Sequence, residues 1–150
     1  MPKQSKELYT KLIRRQLYWE LVRGRRTSKG KRWLNPLWPT PAESRLTFFP
    51  RFAYLNYIGP GDEAGHHFHK RKKEFFCPIG DLIMLLFDKK TKKTLRIRIG
   101  NRKKKEYTMY YIPPNVPHAV LNDTKKWQAL LVLTNESDIF SKTTPFTIPQ

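Results

Sequence analysis

Gly65-His66-His67-Phe68-His69-Lys70-Arg71-Lys72-Lys73-Glu74 holds three of the chain's four histidines. The fourth, His118, ends a proline-stiffened approach, Ile112-Pro113-Pro114-Asn115-Val116-Pro117. His67 and His69 are two apart, so a strand projects both from one face. Glu74 lies five residues past His69, the wrong parity for an unbroken strand. The four residues between are all Lys or Arg and read as an exposed turn. A hairpin there returns Glu74 beside the two imidazoles. Three imidazoles and one carboxylate suit a single borderline divalent ion (Zn, Fe, Mn or Ni), with coordination positions left for water or substrate. His67, His69, Glu74 and His118 are therefore the candidate metal ligands. His66 points to the opposite face and reads as an outer-surface residue.

Outward from this stretch the apolar pattern is that of strands. Residues 52–58, rich in aromatic and β-branched side chains, stop at Gly59-Pro60-Gly61, and residues 82–87 read as a buried strand. In Leu95-Arg96-Ile97-Arg98-Ile99 the alternation puts the three aliphatic residues on the core and the arginines outside. Further strands fall at 109–112, 119–121 and 127–134. Turn signals every ~8–12 residues predict a sandwich or barrel, with the tail from residue 141 irregular. Toward the N-terminus, Leu8, Leu12, Ile13, Leu17 and Leu21 form one apolar stripe. They predict an amphipathic helix over 5–23, capped at Ser5 and stopped at Gly24. Residues 1–34 are then a basic helix and linker, and 35–150 one barrel domain.

Here the sequence resembles a family. Gly61-x5-His67-x-His69-x4-Glu74-x5-Gly80 is similar to the first cupin motif, and Pro113-x-Asn115-x2-His118-x3-Asn122 to the second. The resemblance covers about residues 46–136. It implies an all-β double-stranded β-helix, the cupin jelly-roll barrel, with one divalent metal on His67, His69, Glu74 and His118. Asn115 stands where glycine is usual, a mild change because Asn tolerates positive φ. A narrower resemblance links residues 65–74 to the Gly-Asn-His-Tyr-His-Lys-Arg-Lys-Thr-Glu stretch of sugar-nucleotide cupins. These are the cupin domain of the capsular polysaccharide reductase/epimerase, the WxcM-like 3,4-ketoisomerases and the deoxysugar 3,5-epimerases. Those relatives usually carry Arg where this chain has Ala64. What this resemblance implies is isomerisation or epimerisation beside the ketone of a nucleoside-diphosphate 4-keto sugar, by a homodimer. His67 and His69 are then the acid and base in metal-free versions. Tyr54, Tyr57, Tyr110 and Tyr111 are candidates for the returning proton, Tyr111 lying in the stretch that echoes these relatives. A diphosphate needs cations, which Arg45, Arg51, Arg96 or Arg98 could supply.

Composition sets the frame for these readings. The 150 residues carry a net charge of +18, half of it within residues 1–34. That charge predicts an anionic partner: a nucleotide sugar first, a nucleic acid second. No apolar run approaches the ~20 residues of a membrane-spanning helix, and no apolar h-region follows the basic N-terminus, so a cytoplasmic protein is expected. Cys77 is the single cysteine, which excludes an internal disulfide and a multi-cysteine zinc site. Two other functions fit the same residues. Three histidines and a glutamate around Fe(II) suit dioxygen chemistry, and the basic charge suits a non-catalytic module binding nucleic acid or sugar.

Overall fold

A computed structural model describes residues 19–23, 25–26, 33–34, 50–100, 106–137 and 142–150. Among these every regular element is a strand: β1 (Trp19–Arg23), β2 (Arg25–Arg26), β3 (Trp33–Leu34), β4 (Phe52–Ile58), β5 (Glu63–His69), β6 (Glu74–Pro78), β7 (Leu82–Asp88), β8 (Lys93–Ile99), β9 (Glu106–Ile112), β10 (His118–Leu121), β11 (Gln128–Thr134) and β12 (Thr143–Pro145). Two five-stranded antiparallel sheets, in the orders β1-β9-β6-β11-β4 and β12-β5-β10-β7-β8, form a jelly roll. β2 and β3 pair separately.

The core lies between the sheets, where Phe76, Leu130 and Val132 of one meet Met84, Ile97 and Val120 of the other. Leu95, Ile97 and Ile99 are buried and Arg96 and Arg98 exposed, as the alternation requires. Every residue of β7 is buried because both of its faces are covered. Met84 and Leu86 enter the core, while Ile83, Leu85 and Phe87 pack outside against Ile148 and Phe146. On the other sheet's outer face Phe75, Cys77, Tyr111 and Leu133 form a separate cluster. Burial there pushes the Cys77 thiol up to about 12, so it is an inert packing residue.

Asn122 closes the end of the barrel away from the histidines. Its Nδ2 donates to the carbonyls of Ile58 (2.8 Å) and Lys126 (2.7 Å), and its Oδ1 accepts from Thr124 N and Oγ1. One buried amide thus ties β4 to the β10–β11 turn.

The sequence-based expectations differ from the structure in three places. Residues 19–23, the end of the predicted helix, are strand β1, paired with β9 from Trp19↔Tyr110 to Arg23↔Glu106. Residues 5–18 lie outside the described residues. The pairing satisfies backbone groups that β9 would otherwise present as an open sheet edge, and such tertiary pairing overrides a weak helical preference. The tail is not wholly irregular, because β12 pairs with β5. Finally, β5 and β6 are not a hairpin. They lie in different sheets, and residues 70–73 carry the chain across the gap, ~10 Å in packed sheets.

Candidate metal centre and active site

The local device that builds the site is a β-bulge in β5. His118 pairs with His67, but the next residue, Ala119, pairs with Gly65, so His66 is the extra residue. Gly65 (φ 97°) and His66 (φ 55°) both sit in the left-handed region. The bulge resets the side-chain parity. Ala64 and His67, three apart, both face the interior, and His69 follows His67 inward. His66 is turned outward, where Nε2 meets Glu63 Oε2 at 2.5 Å and Nδ1 accepts from Ile148 N at 3.2 Å.

A Cβ on Gly65 would stand 2.9 Å from both Ala119 Cα and His118 O, which are backbone atoms without room to retreat. Gly65→Ala therefore forces β5 away from β10 at the point where His67 and His118 meet. It should destabilise the fold by about 1–3 kcal/mol and weaken divalent-ion binding. A melting curve and a metal titration matching those of the parent would contradict this.

The four candidate ligands converge from both sheets at one end of the barrel. His67 and His69 lie 4.6 Å apart between ring centroids, and His67 and His118 4.9 Å. Glu74 opens β6 on the opposite sheet and reaches across. Its Oε1 is 2.8 Å from His69 Nε2 and 3.5 Å from His118 Nε2. One ligand atom from each of the four residues lies within 4.8 Å of the others. His118 Nδ1 is 2.9 Å from the Val116 carbonyl, which only accepts, so its proton is on Nδ1 and Nε2 offers a lone pair to the centre. His69 Nε2, Glu74 Oε1 and His118 Nε2 are buried and make no hydrogen bond. Buried acceptors aimed at one point are costly unless something positive lies between them. A divalent ion held by three nitrogens and a carboxylate oxygen fits that requirement.

The neighbours set the charge of the site. Burial, then the charges of His118 and His69, brings His67 down to about 4. Burial lowers His118 as well. At Glu74 burial pushes the carboxyl up, but the contact with His69 and the charges of His118 and Lys72 outweigh it and hold the group at about 2. The two imidazoles are therefore neutral, and the carboxyl ionised, at neutral pH. Between about pH 6.5 and 4 the unfolded chain binds protons that the folded His67 refuses, so stability rises with pH across that window. Below about pH 4.5 the loss of ionised Glu74 acts in the same direction. The melting temperature of the metal-free protein should fall steadily from pH 7 to pH 4, and a flat profile would overturn this assignment.

The sequence does not single out two residues at the site: Lys72 reads there as part of a solvated turn, and Tyr54 is one of four candidate tyrosines. Lys72, in the run of four cations, is not solvated but 1% exposed, with Nζ 5.3 Å from the centroid of the Tyr54 ring. The crossing between sheets turns it inward, whereas Lys70 and Arg71 are exposed. Tyr54 in turn donates a long hydrogen bond, 3.5 Å, to Glu74 Oε2. Its parity with Ile58, the buried end of β4, is the one sequence signal that could have singled it out.

Other expected site residues fall elsewhere. Tyr111 is 5% exposed and packs with Phe75 on the outer face of its sheet, because Ile112 takes the inward position beside it. It cannot return a proton at the histidines. Arg96 and Arg98 face outward from β8, away from the barrel interior. Arg98 is held by Asp123 (2.6 Å) and Asp81 (3.0 Å), so neither arginine serves a ligand in the barrel. Arg45 lies outside the described residues. Arg51 is exposed at the histidine end, its N–H donating to the Thr134 carbonyl next to Glu74.

Two facing antiparallel sheets with three histidines and a glutamate between them define a cupin jelly roll. Solved structures that share this fold include sugar-nucleotide-modifying, cupin-like proteins. A dTDP sugar isomerase from Desulfovibrio desulfuricans matches with a TM-score of 0.68 at 15% identity, over 88% of each chain. The sugar 3,4-ketoisomerase QdtA from Thermoanaerobacterium thermosaccharolyticum, solved with TDP, matches at 0.60 and 18% identity, over 79% of this chain and 81% of its own. The capsular polysaccharide assembling protein CapF from Staphylococcus aureus matches at 0.57 and 18% identity over 64% of this chain. The match spans only 26% of CapF. No protein-family model and no curated protein matches the sequence.

Proposed function

We propose that this chain is a sugar-nucleotide isomerase or epimerase that acts beside the ketone of a nucleoside-diphosphate 4-keto sugar. The observation that carries the reading is the buried His67-His69-Glu74-His118 cluster, at one end of a barrel whose relatives include a dTDP sugar isomerase and a sugar 3,4-ketoisomerase. The reaction removes a proton from the carbon α to the ketone and returns one either to the opposite face of that carbon, which epimerises it, or to the former ketone carbon, which moves the ketone. Bound at the four side chains, a divalent ion supplies Lewis-acid polarisation of the ketone oxygen. The protein's own groups do the rest. His67 is the least buried of the four and neutral, the state a proton acceptor needs. Tyr54, whose hydroxyl is bonded to Glu74, is the group we assign to hand a proton back. The buried charge of Lys72 favours negative charge developing nearby. Arg51 stands at the same end to meet a diphosphate.

The test is exchange of solvent deuterium into TDP-4-keto-6-deoxyglucose, followed by proton NMR. Deuterium should enter at the carbon next to the ketone. Failure with this and several other 4-keto nucleotide sugars would sink the proposal.

A further inference from the structure

The segment 142–150 is fastened along the edge of β5 and over the outer face of its sheet. In β12, Thr143 pairs with His69 and Pro145 with His67, along the edge of β5 that does not face β10. Beyond the strand, Phe146 N donates to the His66 carbonyl (2.7 Å) and Ile148 N to His66 Nδ1 (3.2 Å), so the bulge itself is gripped twice. Ile148 is 2% exposed within the outer cluster of β7 and β10, and the Phe146 ring lies 5.0 Å from that of Phe87. Thr94 Oγ1 donates to the Pro149 carbonyl and anchors the far end on β8.

Within this strap Thr143 Oγ1 stands 3.2 Å from His69 Nδ1. On the other side of the same ring, Nε2 lies 2.8 Å from Glu74 Oε1. Nδ1 is thus the nitrogen turned to the strap, the same nitrogen that His118 turns to the Val116 carbonyl. We propose that Thr143 is a positioning residue: its hydroxyl holds the His69 ring so that Nε2 faces Glu74 and His118, accepting from Nδ1–H when an ion takes the Nε2 lone pair, and the strap keeps the β5 bulge in register. An outer partner of this kind orients a metal-binding imidazole and fixes which nitrogen carries the lone pair. The ion affinity and the Nδ1–H tautomer rest on the metal reading above; the orientation of the ring does not.

The experiment uses the full chain. Long-range ¹H–¹⁵N NMR reports which nitrogen of His69 is protonated, and a Co²⁺ titration followed by visible absorption reports ion affinity. In the Zn²⁺-loaded parent, His69 should be protonated at Nδ1. Thr143→Val should shift the Nδ1 resonance and weaken Co²⁺ binding about 10- to 100-fold, and Thr143→Ser should restore both. Should the valine variant misfold, Thr143→Ala removes the same hydroxyl at a position that is exposed. The proposal is overturned if Thr143→Val leaves both the Nδ1 resonance and the Co²⁺ affinity unchanged, or if Thr143→Ser is as impaired as valine. If the parent binds no Co²⁺, the metal reading fails while the response of the Nδ1 resonance to Thr143→Val still decides the role of Thr143.

Discussion

Replacing His67 by asparagine should lower turnover of a 4-keto nucleotide sugar by about 10²- to 10⁴-fold, the usual worth of a positioned acid–base group. The expectation holds whether His67 binds an ion or moves the proton itself. Asparagine keeps the side chain polar and near the right size, but it neither accepts a proton at neutral pH nor supplies an imidazole nitrogen. His67 lies next to the two buried imidazoles without being buried as they are, so its loss removes the group best placed to meet a ligand. Single-turnover kinetics with deuterium exchange separates the step. The variant should bind the nucleotide and fail to exchange. A variant exchanging at the parental rate would move the chemistry elsewhere in the barrel.

His118→Ala should release the divalent ion. The parent should carry about one Zn, Fe, Mn or Ni per chain, with the variant's affinity reduced by about a hundredfold or more, since even outer partners of metal ligands cost 10- to 100-fold. His118 is 2% exposed, and its ring packs T-shaped with that of Phe76, centroids 5.4 Å apart. No neighbouring donor replaces it without moving β10, and Glu74→Gln should act similarly by removing the anionic oxygen. Chelation of the parent tests the same point through stability. An ion present at a thousandfold its Kd adds about 4 kcal/mol, so its removal should lower the Tm on the order of 10 °C. Elemental analysis after native purification and paired melting curves decide the matter. A metal-free parent whose melting ignores both chelator and added ion would refute the assignment.

Much of the barrel is legible because a half-buried strand writes its orientation into the sequence. Leu95-Arg96-Ile97-Arg98-Ile99 alternates, and the structure follows it residue by residue. β7 is harder, since both its faces are covered and six consecutive apolar residues carry no parity. The same difficulty misplaced Tyr111. In Met109-Tyr110-Tyr111-Ile112 every side chain is large and largely apolar, so nothing local tells which tyrosine shares the interior with Ile112. Residues 19–23 show another limit: a run of spaced leucines favours a helix until an open edge of β9 offers its backbone groups.

The sequence by itself determined the class of fold and which donors meet. Two histidines two apart, a glutamate beyond a cationic turn and a histidine behind three prolines name a chemistry through their side-chain types. Those types do not depend on how the chain is routed. The tertiary structure decided which neighbours join them. A bulge at Gly65 and His66 resets parity within β5, and the crossing at 70–73 sends Glu74 to the facing sheet and Lys72 into the barrel. Pairing of β12 brings Thr143 to His69 from 74 residues away in sequence. Each of these depends on which strand lies beside which, a long-range outcome that local spacing does not encode.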